Sequence, residues 1–363
     1  MKIAIPKECS PETRVALVPT LLPLLTRRDC TILMEKDAGL LASYPDSAYE
    51  GVEFFTDPKT LYQQADVILK VNPPTPEEIQ YCKKNTIIIG LLAPRPHLDV
   101  TALLQKANIT SFALELIPRI TRAQPMDALS SQSTVAGYKA ALLAANTLPR
   151  FFPMLTTAAG TIRPANVLVI GAGVAGLQAI ATAHRLGAQV SAYDVRAAAR
   201  EQVESLGAKM VKIEVSGEGE GGYARELSKE EKVKQQEALK TALIKAEAVI
   251  TTALIPGKKA PIIITKEMVE SMSPGAVIID IAASMGGNCE LTEPGKALLH
   301  HHVTIYGPLN LPGSLPKDAS NMYAKNIISF LELIIKDKQI HLNWEDPILN
   351  SSVLTHEGLI KNQ

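Results

Sequence analysis

Three glycines in this chain stand at a spacing that does chemistry through the backbone. The run Val167-Leu168-Val169-Ile170-Gly171-Ala172-Gly173-Val174-Ala175-Gly176 carries an apolar, β-branched strand straight into G-x-G-x-x-G and on into a helical stretch, Leu177 to Leu186. In such a motif Gly171 permits a tight turn, Gly173 lets a pyrophosphate approach the main chain, and Gly176 lets helix and strand pack closely. The helix N-terminus supplies amide donors and a partial positive charge. Ala172, Val174 and Ala175, between the glycines, belong to the same cradle. The next apolar run ends at Asp194, about 20 residues on, where an acid binds the ribose hydroxyls of a dinucleotide. A carboxylate there accepts from the 2′-hydroxyl of NAD and repels the 2′-phosphate of NADP, so the strand end Asp194-Val195-Arg196 favours NAD(H). An arginine at Arg196 is in principle able to neutralise a phosphate, but Asp194 holds the decisive position.

A second group of polar residues precedes an Ala-rich helix. Arg119, Arg122, Gln124, Asp127, Ser130, Ser131 and Gln132 crowd into a short stretch ahead of apolar positions that run to Leu148. The Gln124 amide both donates and accepts, which suits a carboxamide or a ribose hydroxyl. Capping of the helix by Asp127 or Ser130 is the structural alternative.

Short β-branched runs alternating with helical stretches position these groups, as in βαβ units around a parallel sheet. One series comprises Lys2 to Ile5, Thr31 to Met34, Val67 to Val71, Thr86 to Leu92 and Ser111 to Leu116. The other comprises Asn166 to Ile170, Gln189 to Tyr193, Lys209 to Ile213, Ala248 to Thr252, Ala276 to Ile281 and Val303 to Tyr306. The expected fold class is α/β: two Rossmann-like, doubly wound parallel-sheet domains with a cleft between them. Residues 130–148 form an interdomain helix. The helical pattern after Asn321 returns to the first domain, giving 1–129 plus 325–363 and a nucleotide-binding domain at 130–324. Residues 214–227, rich in glycine and charge and carrying Tyr223, read as a mobile loop, with Ser228 and Glu231 as a capping box beyond it. Asn350 to Gln363 read as a weakly specified end.

Composition removes several function classes. With 363 residues the chain exceeds one ordinary core. Lys plus Arg and Asp plus Glu both number 37 and aromatics are 4%, so neither a polyanion-attracting field nor a base-stacking surface for nucleic acid is expected. Cys9, Cys30, Cys82 and Cys289 lack zinc or disulfide spacing, and His300-His301-His302 point in different directions along the chain. They predict reduced thiols, no metal site and a cytoplasmic setting. Met1 to Lys7 runs directly into a strand pattern, with no secretion signal expected. Val167 to Ala183, the longest uncharged run, is divided by glycines into strand, turn and helix, so no membrane anchor is expected either.

The segment Arg119-Ile120-Thr121-Arg122-Ala123-Gln124-Pro125-Met126-Asp127-Ala128-Leu129-Ser130-Ser131-Gln132, with Ala136-Gly137-Tyr138, resembles the signature of NAD(P) transhydrogenase alpha subunits and the related alanine dehydrogenases. Similar blocks are Lys7-Glu8 with Arg14 to Leu17, Gly222 to Glu226, Thr251 to Gly257, and Ile279 to Ala282 with Gly286 to Glu290. The resemblance implies that Arg119, Gln124, Asp127 and Ser130 hold the nicotinamide and its ribose. It implies that Gln132, Ser133, Tyr138, Thr252, Ala253 and Leu254 complete the NAD(H) site, and that Tyr223 closes over it. Pro125 stands where such subunits commonly carry a small polar residue, which predicts a stiffer loop.

Two absences separate the relatives. Arg14 and Lys70 match the carboxylate-binding positions of the dehydrogenases. Their histidine after the Thr86 to Gly90 strand is missing, however: the chain reads Leu91-Leu92-Ala93-Pro94, with the nearest imidazole at His97. Ser284 stands where they carry an aspartate. Hydride transfer between two nicotinamides needs orientation, close approach and water exclusion, with no proton exchange. The expectation is an NAD(H)-binding subunit of a proton-translocating transhydrogenase, with NADP(H) on a partner subunit. The chain would form a homodimer, peripheral to the cytoplasmic face of a bacterial inner membrane through a membrane-spanning partner. The alternatives are an alanine dehydrogenase-like amino-acid oxidoreductase and a non-catalytic NAD(H)-sensing subunit.

Overall fold

The structure, a computed structural model, describes residues 1–92, 97–212, 229–255, 258–336 and 339–362, with backbone only at 229–235. It divides into two compact units, Met1–Gln132 with Pro312–Gln363, and Ser133–Leu311.

The first unit opens with β1 (Lys2–Ile5), α1 (Leu22–Thr26), β2 (Thr31–Glu35), β3 (Glu53–Phe55), α2 (Pro58–Gln64), β4 (Val67–Leu69), α3 (Pro76–Tyr81), β5 (Ile87–Gly90), α4 (Leu98–Lys106) and β6 (Thr110–Ala113). These strands are parallel in the order β3-β2-β1-β4-β5-β6, the doubly wound order with its reversal beside β1. Ile3, Ala4, Ile5, Val67, Ile68 and Leu69 are all fully buried, as strands covered by helices on both faces require. The helix starts are written in side chains. Asp57 accepts from the Lys59 and Thr60 amides, and Thr75 and Glu78 form a capping box at α3.

The helix α5 (Ala128–Thr147) leads into the second unit. A hairpin, β7 (Leu155–Thr157) and β8 (Gly160–Ile162), precedes β9 (Asn166–Ile170), α6 (Val174–Arg185), β10 (Gln189–Tyr193), α7 (Ala199–Ser205), β11 (Lys209–Met210), α8 (Lys229–Lys245) and β12 (Ala248–Thr251). The unit ends with α9 (Lys266–Glu270), β13 (Val277–Asp280), β14 (Ala297–His300) and β15 (Val303–Tyr306). Its seven-stranded order is β11-β10-β9-β12-β13-β15-β14, parallel except for β14. The direction of winding reverses between β9 and β12, and the glycine run leaves the carboxyl end of β9 at that switch point, where open α/β sheets take ligands.

The chain returns to the first unit with α10 (Pro316–Ile334), the hairpin β16 (Ile335–Lys336) and β17 (Gln339–Ile340), α11 (Pro347–Ser352), β18 (Val353–His356) and β19 (Leu359–Ile360). Here the expectation of a weakly specified end is wrong. β18 adds antiparallel to β6, Ile348, Leu349, Val353 and Leu354 are buried, and the Thr355 hydroxyl lies 2.7 Å from Ser111 Oγ. The apolar run is too short to announce itself, and pairing with a completed sheet edge makes it a strand. The strands β3 and β14 and the two hairpins were also illegible in the sequence, being two to four residues long. The expected loop at 214–227, Tyr223 and Ser228 lie outside the described residues.

Candidate functional site

The glycine loop of the second unit does what its spacing demands. Gly171 has φ of +92°, in the left-handed region, and a side-chain carbon there would meet Thr252 Oγ1 at 2.7 Å. A carbon on Gly176 would lie 1.8 Å from the Gly171 carbonyl oxygen, so the turn and α6 are in backbone contact. A carbon on Gly173 would meet nothing within 4 Å, leaving open space above the start of α6. The Val174, Ala175 and Gly176 amides in the first turn have no intrahelical acceptor and bear the positive end of the helix dipole. This chain's residues therefore fit a dinucleotide pyrophosphate.

Register places the acid. Tyr193 pairs with Ile170, and the Gly171 amide donates to the Tyr193 carbonyl at 2.8 Å, so Asp194 sits beside the turn. Its carboxylate, 8% exposed, accepts from the Ala172 amide at 2.7 Å. It also accepts from Arg196: its amide at 2.9 Å, Nε at 3.0 Å and Nη2 at 2.9 Å. Burial alone would raise the Asp194 pKa, but the Arg196 and Ala172 hydrogen bonds hold it below the ordinary aspartate value. The residue is an anion at neutral pH, with a guanidinium partly offsetting its charge. Val195 follows at the same strand end, half-buried.

A second layer carries the far side of the cradle. Thr252 Oγ1 donates to the Gly171 carbonyl at 2.9 Å. The Ala253 amide donates to Asn288 Oδ1 at 2.9 Å, while Asn288 Nδ2 donates to the carbonyls of Ala253 and Pro261 at 2.8 and 2.9 Å. Asn288 is fully buried and its own amide donates to Asp280 Oδ2 at 2.8 Å. Asp280 also accepts from the Ala282 and Cys289 amides and the Thr292 hydroxyl, so it is a structural anchor for 281–292. Asn288, quoted in a motif but given no task by sequence, holds the loop 252–254, on which Leu254 is 49% exposed. Helix α5 crosses the start of α6 closely: a carbon on Gly137 would lie 2.0 Å from the Ala175 carbonyl oxygen. Tyr138, next along, is exposed, and Ser133 is half-buried.

The first unit carries the other polar group. Residues Thr121–Met126 form a 3-10 turn that buries Ala123 and Met126 and exposes Gln124. Arg119 is likewise exposed. Asp127 accepts from the Ser130 amide at 2.8 Å and the Ser130 hydroxyl at 2.6 Å, so the capping reading describes its geometry. Arg122 forms a two-point pair with Asp346 at the head of α11. Gln132 is buried and accepts from Arg14 Nη1 at 2.8 Å.

Arg14 and Lys70 are both enclosed and both already paired. Arg14 meets Glu12 through Nε at 2.8 Å and Nη2 at 2.7 Å. Lys70, 1% exposed, lies 2.8 Å from Glu78 and 3.7 Å from Glu8. Burial would raise Glu12, but Arg14 brings it below its ordinary value. Burial would lower Lys70, and Glu8 and Glu78 overcome it to hold the ammonium above its usual range. Burial pushes Glu8 up, beyond what Lys70 lowers. These acids were not singled out from sequence as partners, because only the fold brings them onto the cations. Among the described residues no group of three or more His, Cys, Asp or Glu is arranged to hold a metal, and no helix is long and apolar enough to cross a membrane.

Sequence profiles of the alanine dehydrogenase/PNT N-terminal and C-terminal domains match residues 4–136 and 140–363. The chain belongs to this NAD(H)-binding family of oxidoreductases. Within it, the chain is 44% identical over 368 residues to an NAD(P) transhydrogenase subunit alpha polypeptide of Rickettsia prowazekii, covering 99% of this chain and 96% of that protein. The crystal structure of transhydrogenase from Sinorhizobium meliloti superposes with a TM-score of 0.92 at 43% identity, covering 99% and 100% of the two chains. Alanine dehydrogenase of Bacillus subtilis is 30% identical over 333 residues, covering 88% of this chain and 82% of that one. The kinship runs more strongly to the transhydrogenase alpha subunits.

Proposed function

We propose that this chain binds NAD(H) and exchanges hydride directly between it and NADP(H) held by a partner subunit, in a complex that couples the transfer to proton passage across a membrane. The glycine loop and Asp194 take the pyrophosphate and adenosine ribose, with Ser133, Tyr138, Thr252, Ala253 and Leu254 around them. Arg119, Gln124, Asp127 and Ser130 take the nicotinamide and its ribose. Bound NADH supplies the hydride; the residues of the chain orient it and exclude water, and the transfer asks no proton of them. The working form is a homodimer, peripheral to the cytoplasmic face of a bacterial inner membrane through a membrane-spanning partner.

The observation that carries this reading over amino-acid chemistry is the internal pairing of Arg14 and Lys70. An amino-acid dehydrogenase needs cations available for a substrate carboxylate. Here Glu12 occupies the guanidinium at two points and Glu78 lies on the ammonium. Displacing them would leave buried carboxylates unpaired, at about 3–5 kcal/mol for a broken buried pair. The purified chain should therefore give no NAD⁺ reduction with L-alanine; robust turnover would refute the assignment. A non-catalytic NAD(H) sensor would bind NADH but pass no hydride when mixed with an NADP-binding transhydrogenase domain.

A further inference from the structure

The loop 119–130 has a buried tether that neither the glycine motif nor the ion pairs explain. Asn326, on α10, is 8% exposed. Its Nδ2 donates to the Pro125 carbonyl at 2.7 Å, and its Oδ1 accepts from Ser131 Oγ at 2.6 Å. The amide orientation is forced, because a carbonyl only accepts and so must face the NH2 group. One side chain thus joins the last turn of the 3-10 segment to the first turn of α5, on either side of Asp127. Pro125 has no amide of its own, and its carbonyl is the handle.

The tether does not stand alone. The Ser131 hydroxyl accepts from Gln132 Nε2 at 3.2 Å, which also donates to the Ala319 carbonyl at 3.1 Å. Gln132 Oε1 accepts from Arg14 Nη1, and Arg14 Nε and Nη2 donate to Glu12. Asn72 Nδ2 then reaches Glu12 at 3.3 Å. Every member faces a partner of opposite character, from the Pro125 carbonyl to a buried ion pair. The Ser131 hydroxyl also lies 3.1 Å from the Ala128 carbonyl, inside its own helix turn, so the contact with Asn326 is what ties that turn to the 3-10 segment. Linked side-chain hydrogen bonds of this kind restrain the backbone they join.

We propose that Asn326 is a positioning residue: it fixes the turn that presents Gln124 and Asp127, and thereby the aim of the nicotinamide, without touching the nucleotide. The proposal rests on the reading that this loop holds the nicotinamide. Adenosine and pyrophosphate are assigned to other residues, so loss of Asn326 should cost hydride transfer and spare most of the binding. Misaim of a reacting group is costly: a displacement of about 1 Å costs on the order of 100-fold.

Two variants test it. Asn326→Leu keeps the heavy-atom count and branching and deletes both hydrogen bonds. Asn326→Asp keeps the acceptor toward Ser131 and sets a carboxylate oxygen against the Pro125 carbonyl, until acid protonates it and restores a donor. Amide hydrogen exchange over residues 121–127 of the intact chain should quicken by roughly tenfold in both. With an NADP-binding transhydrogenase domain and NADH, single-turnover transfer should fall by roughly tenfold or more, while NADH affinity changes by less than about threefold. The Asp variant should regain rate as pH falls, and the Leu variant should not. Unchanged loop exchange overturns the proposal whatever the activity does. So does a parallel loss of affinity, melting temperature and rate, or an Asp variant with the pH profile of the Leu variant. Absence of transfer by the parent chain would instead refute the hydride-transfer reading, with the exchange data still deciding whether Asn326 holds the loop.

Discussion

At the scale of single residues, two carboxylates give direct tests, Asp194 of the proposed ligand and Glu12 of stability. Asp194→Asn removes the charge proposed to receive the ribose hydroxyls. Charge-assisted hydrogen bonds contribute about 1.5–3 kcal/mol, so NADH affinity should fall by roughly 10- to 100-fold, with the preference over NADPH narrowing. Fluorescence titration with both nucleotides reads this. Glu12 supplies a pH test. Its folded value is depressed from 4.5, so the pair with Arg14 contributes stability above that pH and loses it as pH falls through the lower folded value. The stability gap between the parent chain and Glu12→Gln should be wide near neutrality and close as pH falls below 4.5 and through the lower folded value; a gap independent of pH would contradict the assigned pairing. Asp194 was legible because motif and strand end coincide in one short stretch. Glu8 and Asn326 were not, since their partners lie far along the chain. Glu12 and Glu78 stand two and eight residues from Arg14 and Lys70, but only folding buries those pairs together.

At the scale of elements, the parallel strands were legible from their β-branched runs, and the Ala-rich helix from its apolar positions. What escaped were pieces that owe their conformation to neighbours: β18 on the edge of β6, and the loop 252–254 held by Asn288. Close helix crossing is one such feature, and it gives a prediction. Gly137→Ala forces α5 off the Ala175 carbonyl, where flexible side chains offer no relief. Overpacking of this kind costs about 1–3 kcal/mol, or several degrees of melting temperature. The same change shifts the start of α6, so NADH binding should weaken with it. Calorimetry with and without NADH checks both, and a variant that melts and binds like the parent chain would show that the crossing is not constrained.

At the scale of the whole molecule, the chain is proposed to trade hydride between two nicotinamides rather than to oxidise a small substrate. The neutralised cations of the first unit and the NAD-type strand end of the second both serve that claim. The most direct test follows the atom. NADH deuterated at both C4 positions is mixed with this chain, an NADP-binding transhydrogenase domain and NADP⁺ in ordinary water. Direct transfer moves a deuteride from C4 of one ring to C4 of the other, yielding NAD⁺ and singly deuterated NADPH. Mass spectrometry should find the label retained in NADPH. NADPH without deuterium, or no NADPH at all alongside oxidation of L-alanine by the chain alone, would contradict the account.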